Sequence, residues 1–295
     1  MLGGDSQATI VAPGPCVIIL AAVGAGAGPC REDRTVHFHR QGSGEPLVLL
    51  HGIGHRHQAW RPVQDRLGDF DTIAVDSPGF GRSAPLPAGV RPDIAAYADA
   101  FEAFFRAQGL DRPHVAGNSM GGAIALELAR RGAVASATAL APAGFWTPGE
   151  RRYALSVLWP LAHMPRRLRG PVARLARTGG GRAALFGLLV ARPADVPAQE
   201  AVDTLHDVFA APAFAGALST FSDFAFTAGE ELDSARVTVA WGDKDKLLLF
   251  RKQSDRARAA LPKARHLVLD AGHLPYTDAP DATADAIRTT ARATV

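Results

Sequence analysis

Two rhythms of apolar and polar residues run along the chain. Pro46-Leu47-Val48-Leu49-Leu50 is an unbroken apolar run, the pattern of a strand buried on both faces. Thr72-Ile73-Ala74-Val75 reads as another buried strand, and residues 135–140, Val237-Thr238-Val239-Ala240-Trp241 and His266-Leu267-Val268-Leu269 read as further strands. Thr35-Val36-His37-Phe38-His39 alternates instead, which predicts a strand with one wet face. Helix-spaced segments separate these runs. Ile94, Tyr97, Ala98, Phe101, Phe104 and Phe105 recur at helical spacing and predict a core-facing stripe. Further helices are predicted over residues 58–67, 123–130 and 250–260, and from 280 to the end. Strand and helix alternate, so the expected fold is α/β: a doubly wound, mostly parallel sheet with helices on both faces and right-handed crossovers.

The alternation stops after Ala143. Residues 144–231 hold helical patterns and prolines but no buried strand, far more than an ordinary connection needs. They are expected to form a helical cap inserted into a core made of residues 31–143 and 232–295. Residues 1–30 fit neither unit. They are expected to be a partly ordered extension, contributing an edge strand. Val17-Ile18-Ile19-Leu20-Ala21-Ala22-Val23 followed by Ala25-Gly26-Ala27 has the look of an export signal, yet the segment before it lacks Lys and Arg and contains Asp5. The expected address is therefore the cytoplasm, with export or membrane anchoring through residues 1–30 as the alternative.

Composition narrows the function classes. The chain has 295 residues, 47% of them hydrophobic, which suits a globular domain. A net charge of +3, with no basic stripe interleaved with aromatics, argues against a nucleic-acid binder. The two cysteines, Cys16 and Cys30, both precede the core and are expected to be unpaired thiols. No Cys/His cluster has zinc spacing, so neither metal nor cofactor is expected. Arg151, Arg152, Arg166, Arg167, Arg169, Arg174, Arg177 and Arg182 gather in the insertion. A solvated helix face is the first reading of that cluster, and a surface for anionic lipid or an acidic substrate is the second.

The chemistry centres on Gly117-Asn118-Ser119-Met120-Gly121-Gly122. A strand enters this stretch and a helix leaves it. Gly-x-Ser-x-Gly at such a junction is a nucleophile elbow: the glycines remove Cβ atoms from a sharp turn and leave the serine at its tip. A serine hydroxyl needs a base, and the base needs a partner that fixes its tautomer. Both should lie in loops after strands, because sites in open α/β sheets form beyond the strand carboxyl ends. His273 follows the last strand and Asp245 the one before it. Asp243 is the rival acid, and Asp270 is expected to anchor the loop. His51 is expected to be structural, and His55 and His57 to be exposed loop histidines. Asp76 is expected to serve its turn, with Arg82 holding it.

The chain resembles the α/β-hydrolase fold family. His51-Gly52-Ile53-Gly54, Asp76-Ser77-Pro78-Gly79-Phe80-Gly81-Arg82-Ser83, Gly117 to Gly122, Trp241-Gly242-Asp243-Lys244-Asp245 and Gly272-His273 stand in the family's order, from about residue 35 to the end. The resemblance implies a serine hydrolase in which Ser119 attacks an acyl carbon, His273 shuttles the proton and Asp245 orients His273. It implies an oxyanion hole made by the backbone N–H groups of Ile53 and Met120. Gly52, Phe80 and Trp146 are the expected substrate-binding residues, and the expected partner is a small, apolar acyl compound. A carbon–carbon bond hydrolase, an acyltransferase, a perhydrolase or a non-catalytic binding member are the alternatives. The serine nucleophile departs from the aspartate of dehalogenase-like and epoxide-hydrolase-like relatives.

Overall fold

The structure is a computed structural model describing residues 17–19, 35–227, 232 and 236–293. Cys16, Cys30 and most of the apolar leader lie outside the described residues, and so do the expectations placed on them. Eight strands form one sheet: β1 (Val17–Ile19), β2 (Thr35–Gln41), β3 (Glu45–Leu50), β4 (Phe70–Val75), β5 (His114–Asn118), β6 (Ser136–Leu140), β7 (Val237–Gly242) and β8 (Arg265–Leu269). Their spatial order is β1-β2-β4-β3-β5-β6-β7-β8. β2 runs antiparallel to both β1 and β4, and every later pairing is parallel. The central strands β5, β6 and β7 are buried along their whole length, so even His114, Asn118, Ser136, Thr138 and Thr238 are held inside the sheet.

Helices cover the sheet: α1 (Arg61–Gln64), α2 (Ile94–Gln108), α3 (Met120–Arg130), α9 (Phe250–Ala260), α10 (Pro275–Asp278) and α11 (Pro280–Ala291). The six residues of the predicted α2 stripe are all buried, and Asp93 caps the helix by accepting the Ala96 N–H at 3.0 Å. Two boundaries differ from the pattern. Residues 57–67 are not one helix but a 3-10 turn, His57–Trp60, followed by the single turn α1. Pro62 has no N–H to carry a continuous α ladder back into the preceding turn. Helix α3 begins three residues early, at Met120, because its first turn lies against β3. A Cβ at Gly121 would stand 2.3 Å from the Leu50 carbonyl oxygen.

Among the described residues five helices lie between β6 and β7: α4 (Pro148–Ala162), α5 (Arg166–Leu175), α6 (Gly179–Phe186), α7 (Ala198–Ala210) and α8 (Phe214–Thr220). A capping box of Thr147 and Glu150 starts α4. The two ends of this insertion are stitched together. The Phe226 N–H donates to the Gly144 carbonyl at 3.1 Å, and Trp146 Nε1–H donates to the Phe224 carbonyl at 2.8 Å.

Candidate active site

Ser119 stands between β5 and α3 with φ 56° and ψ −112°, a region that L-residues avoid. Such a conformation costs about 1–3 kcal/mol and persists only where the surroundings enforce it. The enforcement is visible. A Cβ at Gly117 would lie 2.1 Å from the Gly121 carbonyl oxygen, so the turn closes only with glycine there. The Ser119 N–H donates to Leu140 of the neighbouring strand at 2.9 Å. Met120 opens α3, so its N–H has no partner one turn back in the helix.

The loop after β3 crosses this turn closely. A Cβ at Gly52 would stand 3.5 Å from the Ser119 Cβ, and Ile53 follows directly. His51 is fully buried and structural, as expected. Its Nδ1 contacts the Gly52 carbonyl at 2.7 Å, and its Nε2 accepts the Ser77 N–H at 2.9 Å. The helical insertion covers the loop from above. Val208 of α7 and Phe214 of α8 come within 3.2 Å and 3.6 Å of where a Gly54 Cβ would be.

On the other side, β7 and β8 bring an acid and a base together. Asp245 Oδ2 lies 2.8 Å from His273 Nδ1, and both side chains are almost wholly buried. Asp245 Oδ1 accepts the N–H groups of Leu247 and Leu248 at 2.9 and 2.8 Å. Gly242 makes the approach possible, since a Cβ there would stand 2.1 Å from the Gly272 carbonyl oxygen. The rival Asp243 is exposed. Asp270 anchors the surface, pairing with Lys244 and with Arg192.

Two residues given no role in the sequence analysis complete the assembly. Asn118 Nδ2–H donates to the His273 carbonyl at 2.9 Å and to the Leu140 carbonyl at 3.1 Å, which fixes the histidine's backbone beside Ser119. Asp278 Oδ2 accepts the Gly272 N–H at 2.8 Å and the Ala191 N–H at 2.9 Å. The Leu274 N–H also donates to the Leu189 carbonyl at 3.1 Å, so the insertion is tied to the histidine loop. Asn118 is readable as part of the elbow, whereas Asp278 carries no sequence signal.

His55 and His57 are engaged rather than free, contrary to the expectation from their loop position. His55 Nδ1 lies 2.8 Å from Tyr276 Oη. Burial, reinforced by the nearby His51 and His273 rings, pushes His55 down to about 3, so it is neutral and able to accept the phenol proton. His55 and Arg56 also line a cleft of about 390 Å³, closed on its far side by Glu200, Asp203 and Asp207 of α7. Burial raises both Glu200 and Asp207, against the pull of Arg61 on the first and Arg56 on the second.

His57 joins a second acid cluster. Asp76 Oδ1 accepts the His57 N–H and lies 2.8 Å from His57 Nδ1. Oδ2 lies 3.1 Å from His37 Nδ1 and accepts the Arg82 N–H at 3.0 Å. The two rings and two backbone groups hold Asp76, rather than the Arg82 guanidinium that the sequence suggests. Burial pushes the carboxyl up, but the His57 hydrogen bonds and charge win and hold it well below the usual carboxylate range. Among the described residues this is the one set whose His, Cys, Asp or Glu ligand atoms gather closely enough for a metal ion, and those contacts are already hydrogen bonds.

The remaining expected residues sit apart. Phe80 is wholly buried, edge-on to His51 and tilted against Tyr97. Trp146 is half-buried, edge-on to Phe221 in the insertion. Neither has a contact with Ser119 or His273 among those described. Chemically, the strained turn offers a hydroxyl at a helix N-terminus, and the loop tied to Asn118 carries an imidazole whose Nδ1 is held by a buried carboxylate.

Known proteins share this frame. Lipase 3 of Moraxella sp. is 27% identical over 261 residues, which cover 82% of this chain and 76% of that protein. A thermophilic esterase from Thermogutta terrifontis superposes with TM-score 0.67 at 22% identity, covering 94% of this chain and 97% of the other. A hydrolase from Pseudomonas aeruginosa superposes with TM-score 0.72 at 18% identity, covering 94% and 98%. The sequence profile of the alpha/beta hydrolase family matches residues 47–286, the span that holds the elbow, the acid and the histidine alike. With fold, motif order and profile in agreement, the chain belongs to the alpha/beta hydrolase family.

Proposed function

We propose that the protein is a serine hydrolase that cleaves a carboxylic ester or a related acyl bond through an acyl-enzyme on Ser119. The observation that carries this reading is the double anchoring of His273: Asp245 holds its Nδ1 and Asn118 holds its backbone carbonyl next to Ser119. With Nδ1 committed, Nε2 is the nitrogen left to take the serine proton. Ser119 Oγ bonds to the acyl carbon and the carbonyl π pair moves onto oxygen. The N–H groups of Met120 and Ile53 receive that oxyanion, and one such donor is worth about 2.7–4 kcal/mol of transition-state stabilisation. The imidazolium returns its proton to the leaving alkoxide as the acyl–oxygen bond breaks. Water then repeats the sequence and frees the acid.

In this reading residues 144–231 act as a cap over the core of residues 31–143 and 232–295. Gly52, Phe80 and Trp146 belong to the region that receives an apolar acyl group. The lipase and esterase relatives are consistent with a small-molecule ester substrate.

A fluorophosphonate probe and a series of p-nitrophenyl esters test the reading. Stoichiometric labelling of Ser119 is expected, with turnover lost in Ser119→Ala by about 10⁴-fold or more. Unlabelled protein, or an alanine variant of undiminished activity, would overturn it.

A further inference from the structure

Charge is distributed very unevenly in this chain. Residues 151–194 contain nine arginines and no lysine, aspartate or glutamate, while the rest of the chain is net negative. Some of these arginines have structural work. Arg169 lies over the Phe209 ring and donates to its carbonyl, Arg182 donates to three backbone carbonyls, and Arg192 pairs with Asp270. Arg152, Arg166, Arg167, Arg174 and Arg177 are exposed and have no carboxylate partner among the described residues.

Apolar side chains stand beside them. Trp159 is 52% exposed, Leu168 43% and Leu175 48%. On α5 the outward residues fall at helical spacing: Arg167, Leu168, Pro171, Arg174 and Leu175 share the solvent face, while Ala173 is buried beneath. His163, Met164 and Pro165 alone join α4 to α5, so Trp159, stacked on His163 at 3.7 Å, sits next to the start of this face. An ordinary solvated helix face would not spend leucine and tryptophan in water beside unpaired arginines.

We propose that the outer face of α5, with the α4 corner, docks on a bilayer containing anionic lipid. Guanidinium groups meet the phosphates while Trp159, Leu168 and Leu175 enter the headgroup–acyl boundary, as an interfacial helix does. Charge complementarity selects this occupant. A second copy of the same face would be repelled, and a nucleic acid would leave the leucines and proline unserved. Among the described residues no helix is long and apolar enough to cross a membrane, so this contact lies on the surface.

Co-sedimentation of the full chain with vesicles tests the proposal. Binding is expected to vesicles of phosphatidylcholine doped with phosphatidylglycerol, to be absent on phosphatidylcholine alone, and to weaken as salt rises. Neutralising Arg166, Arg167 or Arg174 to Gln should each lower partitioning roughly fivefold. Binding should blue-shift tryptophan emission, and Trp159→Phe should abolish that shift. Ser119→Ala should bind like the parent, so a failed hydrolase reading would leave this result unaffected. Equal binding to both vesicle types, arginine variants that bind undiminished, or preference for duplex DNA over the doped vesicles would each overturn it.

Discussion

Asp245 and Asp76 begin alike. Each sits buried beyond the carboxyl end of a parallel strand, accepts two backbone N–H groups and grips histidine through Nδ1. The bonds are of the same kinds in both, three at Asp245 and four at Asp76. The difference lies beyond the rings. The loop of His273 is tied through its own carbonyl to the residue before Ser119. The far nitrogen of His37 is buried with no hydrogen-bond partner among the described residues. Asp76 holds its rings for the sake of the loops: His57 belongs to the loop that carries Ile53, and a Cβ at Gly81 would stand 2.3 Å from the Asp76 carboxylate. In the proposed mechanism Asp245 tunes a base, whereas Asp76 clamps a loop.

Substitution breaks the comparison most sharply at Asp245. Asp245→Asn keeps the shape but favours the wrong tautomer of His273, and turnover should fall by about 10⁴-fold with the melting temperature nearly kept. Asp76→Asn should do the reverse, costing about 1–3 kcal/mol in denaturant titration while turnover changes far less. A large loss of activity without loss of stability at Asp76 would erase the distinction drawn above.

Acid probes the clamp side. Burial lowers His37 against the pull of Asp76, and it also lowers His51 and His55. Below the ordinary histidine value the unfolded chain binds protons that the fold refuses, so stability is complete above about pH 6.5 and falls as pH drops. For His55 the window runs down to about 3, at up to about 1.36 kcal/mol per pH unit. Melting temperature measured from pH 7 to pH 5 should decline, and His55→Gln should flatten the slope. The smallest effect is expected at Asp278. Asp278→Asn loosens the Gly272 and Ala191 contacts, and turnover should drop about threefold to tenfold with a broadened pH profile.

Most of this contrast was written locally in the chain. The strands, the α2 stripe and the elbow follow from short periodicities and glycine positions, which depend on neighbours in sequence. Asp245 over Asp243 was suggested by the resemblance, whose Gly-x-x-Asp spacing from Gly242 falls on Asp245, and Asp245 is the one in contact with His273. The engagement of His55 and His57 was not, since their partners Tyr276 and Asp76 come from distant segments. Phe80 looks the same in sequence whether it faces a core or a pocket. The break at residues 57–64 turns on one missing N–H, that of Pro62, which apolar spacing does not register.

The seam at Asp278 has a consequence for redesign. On the insertion side, the carboxylate reads the main-chain N–H groups of Ala191 and Arg192, while the Arg192 guanidinium reaches back to the Asp278 carbonyl. At position 191 the donor requirement rules out only proline, which has nothing to donate. A foreign helical insert that keeps this pair of donors, with arginine second, between its third and fourth helices would inherit the docking point.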